Sequence, residues 1–175
     1  MVESIFSNEF DSFCAEHGII HKRTPPYSPQ SNGVAERKNR TLTDLVNAML
    51  DTSGLSKAWW GEAILTACHA LNRVPTKNKE ITPFEEWEKK RLKLSYLRTW
   101  GCLAKAHVPI PKKRKLGPKT MDCVFLGYAF HSIGYRFLVV KSEVPDMHVG
   151  TIMESNDATF FEDIFSMKYM ATSSN

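Results

Sequence analysis

The chain has 175 residues, 42% hydrophobic and 11% aromatic, a composition that argues against intrinsic disorder and suits one medium domain or two small ones. Its formal net charge of +4 permits contact with nucleic acid or another anionic surface, but is too small to establish either. The four cysteines are widely spread without a C-x-x-C pair, which argues against a zinc ribbon or a disulfide scaffold.

Membrane insertion and secretion are not indicated by the sequence. No apolar run approaches the roughly 20 residues that span a bilayer, and "MVESIFSNEF" lacks the layout of a secretion signal. We therefore expect an intracellular protein, in the nucleus or the cytoplasm, with no membrane partner.

Helical periodicity dominates the first half of the chain. "IFSNEFDSFCAEHG" predicts a short helix that ends at a glycine, "IIHKRT" a short strand, and "PPYSPQSNG" an ordered loop. A long helix is predicted from about Gly33 to Thr52, and a second from about Lys57 to Asn72. "TPFEEWEKK" predicts a third, short helix with a threonine cap and a proline in its first turn.

The second half of the chain carries short β-branched and aromatic runs separated by turn residues. The runs are "LRTWGCLAKAHV", "MDCVFLGYAF", "YRFLVVKS", "VGTIMES" and "ATFFED". Five such strands predict a small barrel or sheet module. The composition changes near Lys89 to Ser95, where we place the domain boundary.

One stretch, "PYSPQSNGVAERKNRTL", places a single carboxylate, Glu36, beside the cations Arg37, Lys38 and Arg40. The helical period puts the apolar residues Val34, Leu42, Leu45, Val46, Met49 and Leu50 on one face and Glu36 on the opposite one. A lone exposed glutamate near a helix start commonly serves solubility or the helix dipole.

This stretch resembles the signature of integrases from copia-type LTR retrotransposons, in which such a loop leads into the helix with the glutamate of an Asp, Asp, Glu set. "WWGEAILTACHALNRVP", "TPFEEW" and "LRTWGCLAKAHV" look like the following parts of the same core. "KLGPKTMDCVFLGYAFHSIGYRFLVV" and "MESNDATFFED" are similar to the SH3-like β module that follows it. The resemblance implies an α/β (α+β) fold, with a truncated RNase H-like core followed by a small SH3-like β-barrel module.

The same resemblance implies a division of the chain. Residues 1–78 would be the C-terminal portion of the catalytic core, 79–97 a connecting helix and linker, 98–168 the SH3-like module and 169–175 a tail. We expect a core stripped of its central strands to leave the apolar faces of the Glu36 and Trp59 helices uncovered. The predicted consequence is a homo-oligomer formed through these faces.

Enzymes of this family use three carboxylates to hold two divalent cations, with Mg²⁺ the expected metal, for polynucleotidyl transfer to DNA. The resemblance assigns Glu36 as the catalytic and metal-binding glutamate. The family spacing places the second aspartate one residue before Met1, and the first aspartate further upstream. We therefore expect an integrase fragment that binds no metal and is inactive alone, although its enzymatic status stays open.

Two groups of cations are candidates for nucleic-acid binding. Arg37, Lys38 and Arg40, with Lys22 and Arg23, flank the loop and would neutralise phosphates of DNA. "PKKRKLGPK" adds Lys112, Lys113, Arg114 and Lys115 between two predicted strands, as a phosphate-contacting loop or a nuclear-import signal. A solvated surface is the alternative for each group.

Other patterns suggest less. Cys14, His17 and His21 form C-x-x-H-x-x-x-H, but no fourth zinc ligand is at hand. The tryptophans and the aromatic residues of the β module are assigned to packing rather than to a stacking platform for bases; they are Trp59, Trp60, Trp87, Trp100, Phe125, Tyr128, Tyr135, Phe137, Phe160 and Phe161.

Two alternatives to a nucleic-acid-binding integrase fragment remain open. One is a domesticated, non-catalytic module for protein interaction or structure, whose β domain does not touch DNA. The other is an active integrase whose N-terminal part is missing from this sequence.

Overall fold

The computed structural model describes residues 7–21, 25, 27, 32–77, 79–109, 115–145 and 147–168. The helices are α1 (Asn8–Glu16), α2 (Gly33–Ser53), a 3₁₀ turn (Lys57–Trp59), α3 (Trp60–Leu71) and α4 (Pro83–Glu88). The strands are β1 (Leu103–His107), β2 (Thr120–Tyr128), β3 (Tyr135–Lys141), β4 (Ile152–Ser155) and β5 (Ala158–Phe161). Two compact units divide the chain, residues 1–39 and 40–175.

The first unit contains α1, whose two ends follow local rules. Ser7 caps the N-terminus by accepting the N–H of Phe10 at 3.2 Å. Gly18 adopts φ +66°, and the N–H of Ile19 then returns to the carbonyl of Cys14 at 2.7 Å. The predicted first helix is therefore confirmed. The strand predicted over "IIHKRT" is wrong for residues 19–21, which form no strand, and residues 22–24 lie outside the described part.

The second unit is built around a five-stranded antiparallel sheet with the strand order β4-β3-β2-β1-β5. All five predicted strands are present, and so are the three helices predicted over residues 33–88. α4 has the expected start, because Thr82 and Glu85 form a reciprocal capping box with Pro83 in the first turn.

Within the described residues, hydrogen bonds do not close the sheet into the predicted barrel. β4 and β5 occupy opposite edges, which would lie about 19 Å apart in a flat sheet of five strands. Only residues 156 and 157 separate them in sequence, and three Cα–Cα steps reach at most about 11 Å. The two edges must therefore approach each other at this turn.

Both faces of β2 and β3 contribute to the hydrophobic core. One face packs Met121, Cys123, Phe125, Phe137 and Val139 into one hydrophobic cluster, together with Phe160 and other aromatic rings. The opposite face carries Val124, Leu126 and Leu138, which pack against Val46 and Leu50 of α2, Ala63 and Ala67 of α3, and Trp100. Helices and strands of the second unit therefore share one core.

A β-bulge on β2 joins α3 to the sheet. The pairing with β3 shifts between Phe125 and Gly127, which leaves Leu126 as the extra residue. Its carbonyl accepts two side-chain hydrogen bonds instead, from Trp100 Nε1 at 2.8 Å and from Thr66 Oγ1 at 2.9 Å. Both donors are buried, and a buried donor without a hydrogen-bond partner destabilises the folded state. The shared acceptor provides that partner for each of them.

The structure changes two expectations about the core. The sheet covers the apolar face of the Glu36 helix from Leu42 onward. It also covers the apolar face of the Trp59 helix, so the expectation that these faces are uncovered is wrong. Val34 is exposed, so the buried face of α2 is shorter than its periodicity predicted. The RNase H-like core is not confirmed, and the division at residues 79–97 and the homo-oligomer stay predictions. Residues 169–175, the predicted tail, lie outside the described part.

Candidate nucleic-acid interface

The start of α2 presents a row of exposed charges. Glu36, Arg37, Lys38 and Arg40 follow each other in the first two turns, and all four are exposed. Glu36 lies in the first turn, where a carboxylate interacts favourably with the positive end of the helix dipole. The predicted exposure of Glu36 is confirmed. The helix thus offers three cationic side chains to solvent beside one carboxylate.

Glu36 does not form a metal site with its described neighbours. Two divalent cations need several oxygen ligands held close together. Among the residues that the structure describes, no group of three or more His, Cys, Asp or Glu side chains could hold a metal ion. The described residues therefore do not fit the expected Mg²⁺ pair, and the role of Glu36 as a ligand stays a prediction.

The other predicted cations are only partly described. Lys22 and Arg23 of the loop, and Lys112, Lys113 and Arg114 of the basic run, lie outside the described residues. Lys115 is exposed in the connection between β1 and β2, as its position between predicted strands indicated.

The histidine-containing pattern near α1 has local structural roles. Cys14 is buried. The ring of His17 stacks on Phe13 with centroids 4.1 Å apart. His21 Nδ1 lies 2.9 Å from Asp11 Oδ1. Within the described residues, these side chains belong to no group of three or more potential ligands that could hold a metal ion, so nothing supports a zinc site here.

The assignment of aromatic residues to packing is correct for most of them and wrong for two. Trp100, Phe125 and Phe137 are buried. Trp60 and Trp87, in contrast, are 60% and 85% exposed. Trp87 lies on α4, which is a single short helix with no buried residue. The shortness of this predicted helix was the signal that was missed. A helix of that kind has no core that could cover a tryptophan.

No helix in the described ranges combines the length and the apolar character that crossing a bilayer would require.

Comparison with known proteins extends this description. Residues 102–173 match the family described as "Retroviral polymerase SH3-like domain". This match covers β1 to β5 and is consistent with the five-stranded sheet.

Three of the curated relatives are polyproteins of plant transposons. The chain is 44% identical over 131 residues to the retrovirus-related Pol polyprotein from transposon TNT 1-94 of Nicotiana tabacum, which covers 74% of this chain. It is 30% and 28% identical, over the same share, to the retrovirus-related Pol polyproteins from transposons RE1 and RE2 of Arabidopsis thaliana. The matches span about a tenth of each relative's own length, 10%, 9% and 9%. The predicted resemblance is confirmed at this level.

Proposed function

We propose that this chain, which is similar to retrovirus-related Pol polyproteins over 74% of its length, is a nucleic-acid-binding part of a retrotransposon integrase. The observation that carries this proposal is the start of α2, where Arg37, Lys38 and Arg40 are all exposed. They lie in the segment whose sequence resembles the glutamate helix of copia-type integrases.

The chemistry of this surface suits the DNA backbone. Arginine and lysine side chains bind phosphate oxygens by charge and hydrogen bonding, without reading base sequence. Each neutralised phosphate releases a condensed counterion, so affinity for duplex DNA falls as the salt concentration rises. The proposed contact is thus independent of sequence and strongly salt-dependent. Lys115 and its neighbours in the basic run are proposed as a second phosphate-binding loop.

The ancestral activity proposed for the family is Mg²⁺-dependent polynucleotidyl transfer. We assign Glu36 as the glutamate of its carboxylate set. We derive no catalytic step, because the described residues offer no group that could hold the metal ions. The proposed activity of this chain alone is therefore binding and not strand transfer. Placement in the nucleus and self-association belong to the same proposal, although the sheet covers the helix faces through which self-association was predicted.

A salt titration of binding to a fluorescently labelled DNA duplex tests the proposal. We expect the affinity to fall steeply between about 50 and 200 mM salt. Arg37→Ala/Arg40→Ala should weaken binding and lower the slope of log K against log salt by about 2, since roughly 0.9 is lost for each phosphate contact. Lys57→Ala/Lys77→Ala removes two other exposed cations and is the matched control. No salt-dependent binding would favour the protein-interaction module instead.

A further inference from the structure

The most exposed tryptophan of the described chain lies on α4. Trp87 is 85% exposed, although large aromatic side chains usually contribute most of their area to a core. No residue of α4 is buried, so this helix is held by its ends and not by an apolar face. The exposure of Trp87 therefore follows from the construction of the helix and leaves the indole available for contact with a partner.

Several contacts fix α4 to the rest of the second unit. The N–H of Phe84 donates to the carbonyl of Asn72 at 2.9 Å, just beyond the end of α3. The guanidinium of Arg73 lies 4.1 Å from the centre of the Phe84 ring. The capping box between Thr82 and Glu85 closes the first turn. Trp87 is thus presented by an anchored helix, which lowers the entropic cost of binding through it.

The chain after α4 is folded back onto the helix. Lys89 adopts a left-handed conformation with φ 55°, which ends the helix. The N–H of Leu92 then donates to Glu85 Oε1 at 3.0 Å, a bond that spans seven residues. The backbone between Lys89 and Leu92 is therefore held close to the turn that carries Trp87.

The sequence around Trp87 carries four cations against the three glutamates of α4, so the net charge there is +1. Lys89, Lys90, Arg91 and Lys93 are exposed, and within the described ranges none of them forms an ion pair. Two of the three glutamates of α4 are already engaged. Glu85 accepts hydrogen bonds from Leu92 and Thr82. These bonds lower the pKa of Glu85, and the bond from Leu92 is the largest single cause. Glu86 binds Lys79 Nζ at 2.8 Å.

We infer that Trp87, with Lys90, Arg91 and Lys93, binds single-stranded nucleic acid by stacking on an unpaired base while the cations contact the flanking phosphates. This inference rests on the proposed function, which supplies nucleic acid as the partner. An exposed tryptophan followed closely in sequence by cations offers the two groups that single-strand binding uses, an aromatic ring for a base and positive charge for phosphates. In a duplex, the face of each base is covered by its neighbours, so the Trp87 site discriminates against duplex DNA.

The test measures binding of the full chain to labelled oligo(dT) and oligo(U) of about 12 nucleotides and to a duplex of similar length. Trp87→Ala should lower the affinity for one or both single strands by about 5- to 100-fold, which corresponds to the loss of one base stack. Trp87→Phe should restore most of the affinity. Trp60→Ala removes the other strongly exposed tryptophan and should change it by less than about twofold.

The outcomes separate this inference from the function on which it rests. If Trp87→Ala loses affinity for oligo(dT), for oligo(U) or for both, the result supports the Trp87 site and identifies the nucleic acid that it binds. Duplex affinity should be unchanged in Trp87→Ala and lowered in Arg37→Ala/Arg40→Ala. If Trp87→Ala binds both single strands like the parent chain, the inference is overturned while duplex binding stands, and a protein contact then explains Trp87. A parent chain that binds neither form contradicts the proposed function itself.

Discussion

Thr66 of α3 lies directly against Gly127 of the β2 bulge. A β-carbon built on Gly127 would come within 2.6 Å of Thr66 Oγ1, the same atom that donates to the carbonyl of Leu126 at 2.9 Å. Gly127 also adopts φ +151°, a conformation that other residues rarely adopt. The close approach of helix and sheet therefore depends on glycine at this position.

Gly127→Ala should destabilise the protein by about 2–4 kcal/mol, because backbone strain and the collision with Thr66 add together. Urea unfolding followed by circular dichroism measures the change. Gly117→Ala is the matched control, since Gly117 has φ +137° with nothing within 4 Å of the added carbon. Gly117→Ala should lower the stability only by the cost of the backbone strain, about 1 kcal/mol. Equal losses in the two variants would show that helix and sheet do not meet at Gly127.

The ion pair between Glu62 and Arg136 is a second link from α3 to the sheet. Arg136 Nη1 lies 2.6 Å from Glu62 Oε2, and the side chains are only 15% and 18% exposed. Glu62→Gln should cost about 2 kcal/mol, since it leaves a poorly solvated guanidinium without its main partner. Glu86→Gln, which breaks the exposed Lys79 pair, should leave the stability nearly unchanged. A cost for Glu62→Gln as small as that of the surface pair would exclude this role.

His69 should make stability depend on pH. Burial, followed by the charge of Arg73, lowers the pKa of His69 from 6.5 to about 4. Its ring stacks on Tyr128 and meets Tyr96 edge to face, and Nδ1 is buried without a hydrogen-bond partner among the described residues. Between pH 6.5 and 4, the unfolded chain takes up a proton that the folded chain excludes. Stability therefore falls as the pH falls through this window.

The expected loss is about 2 kcal/mol, less than the full pKa difference would give because the imidazole is partly solvated. Urea midpoints measured across the window provide the test. His69→Phe keeps an aromatic ring against Tyr128 but cannot titrate, so the fall in its stability over the window should be smaller by the contribution of His69. An unchanged pH profile in His69→Phe would assign the effect to other groups.

The cysteines should differ sharply in reactivity. Burial raises the pKa of Cys102 and of Cys123 to about 12, whereas Cys68 is exposed. Because the thiolate is the reactive form, iodoacetamide at pH 8 should label Cys68 quickly in the folded protein and leave Cys102 and Cys123 unmodified. Mass spectrometry of peptides identifies the labelled residues. Rapid labelling of Cys123 without denaturant would show that the sheet core is open.

Local signals explain why much of the fold could be predicted. The caps at Thr82 and Gly18 fix helix ends through neighbours in sequence, so they can be recognised without tertiary contacts. The five strands were recognisable because β-branched and aromatic residues cluster between turns. The strand predicted at Ile19 and Ile20 failed, since β propensity needs a partner strand and the structure gives these residues none.

The contacts between helices and sheet could not be predicted, because they join distant parts of the chain. Val46 and Val124 share a core, but no local pattern indicates that the second face of the sheet is covered by α2. The bulge at Leu126 is equally hidden, since its carbonyl is satisfied by Trp100 and Thr66 from two other segments. For the candidate interface, the helical period correctly predicted that Glu36 is exposed, while Trp87 was wrongly assigned to packing.

The salt-titrated affinity for duplex DNA tests the central claim most directly. The parent chain should lose affinity steeply with salt, and Arg37→Ala/Arg40→Ala should lower the slope of log K by about 2 while Lys57→Ala/Lys77→Ala leaves it near the parent value. Thermal unfolding of each variant establishes that the fold is retained. Binding that is absent, or equally weakened by both double substitutions, would contradict the assignment of the exposed start of α2 as a nucleic-acid interface.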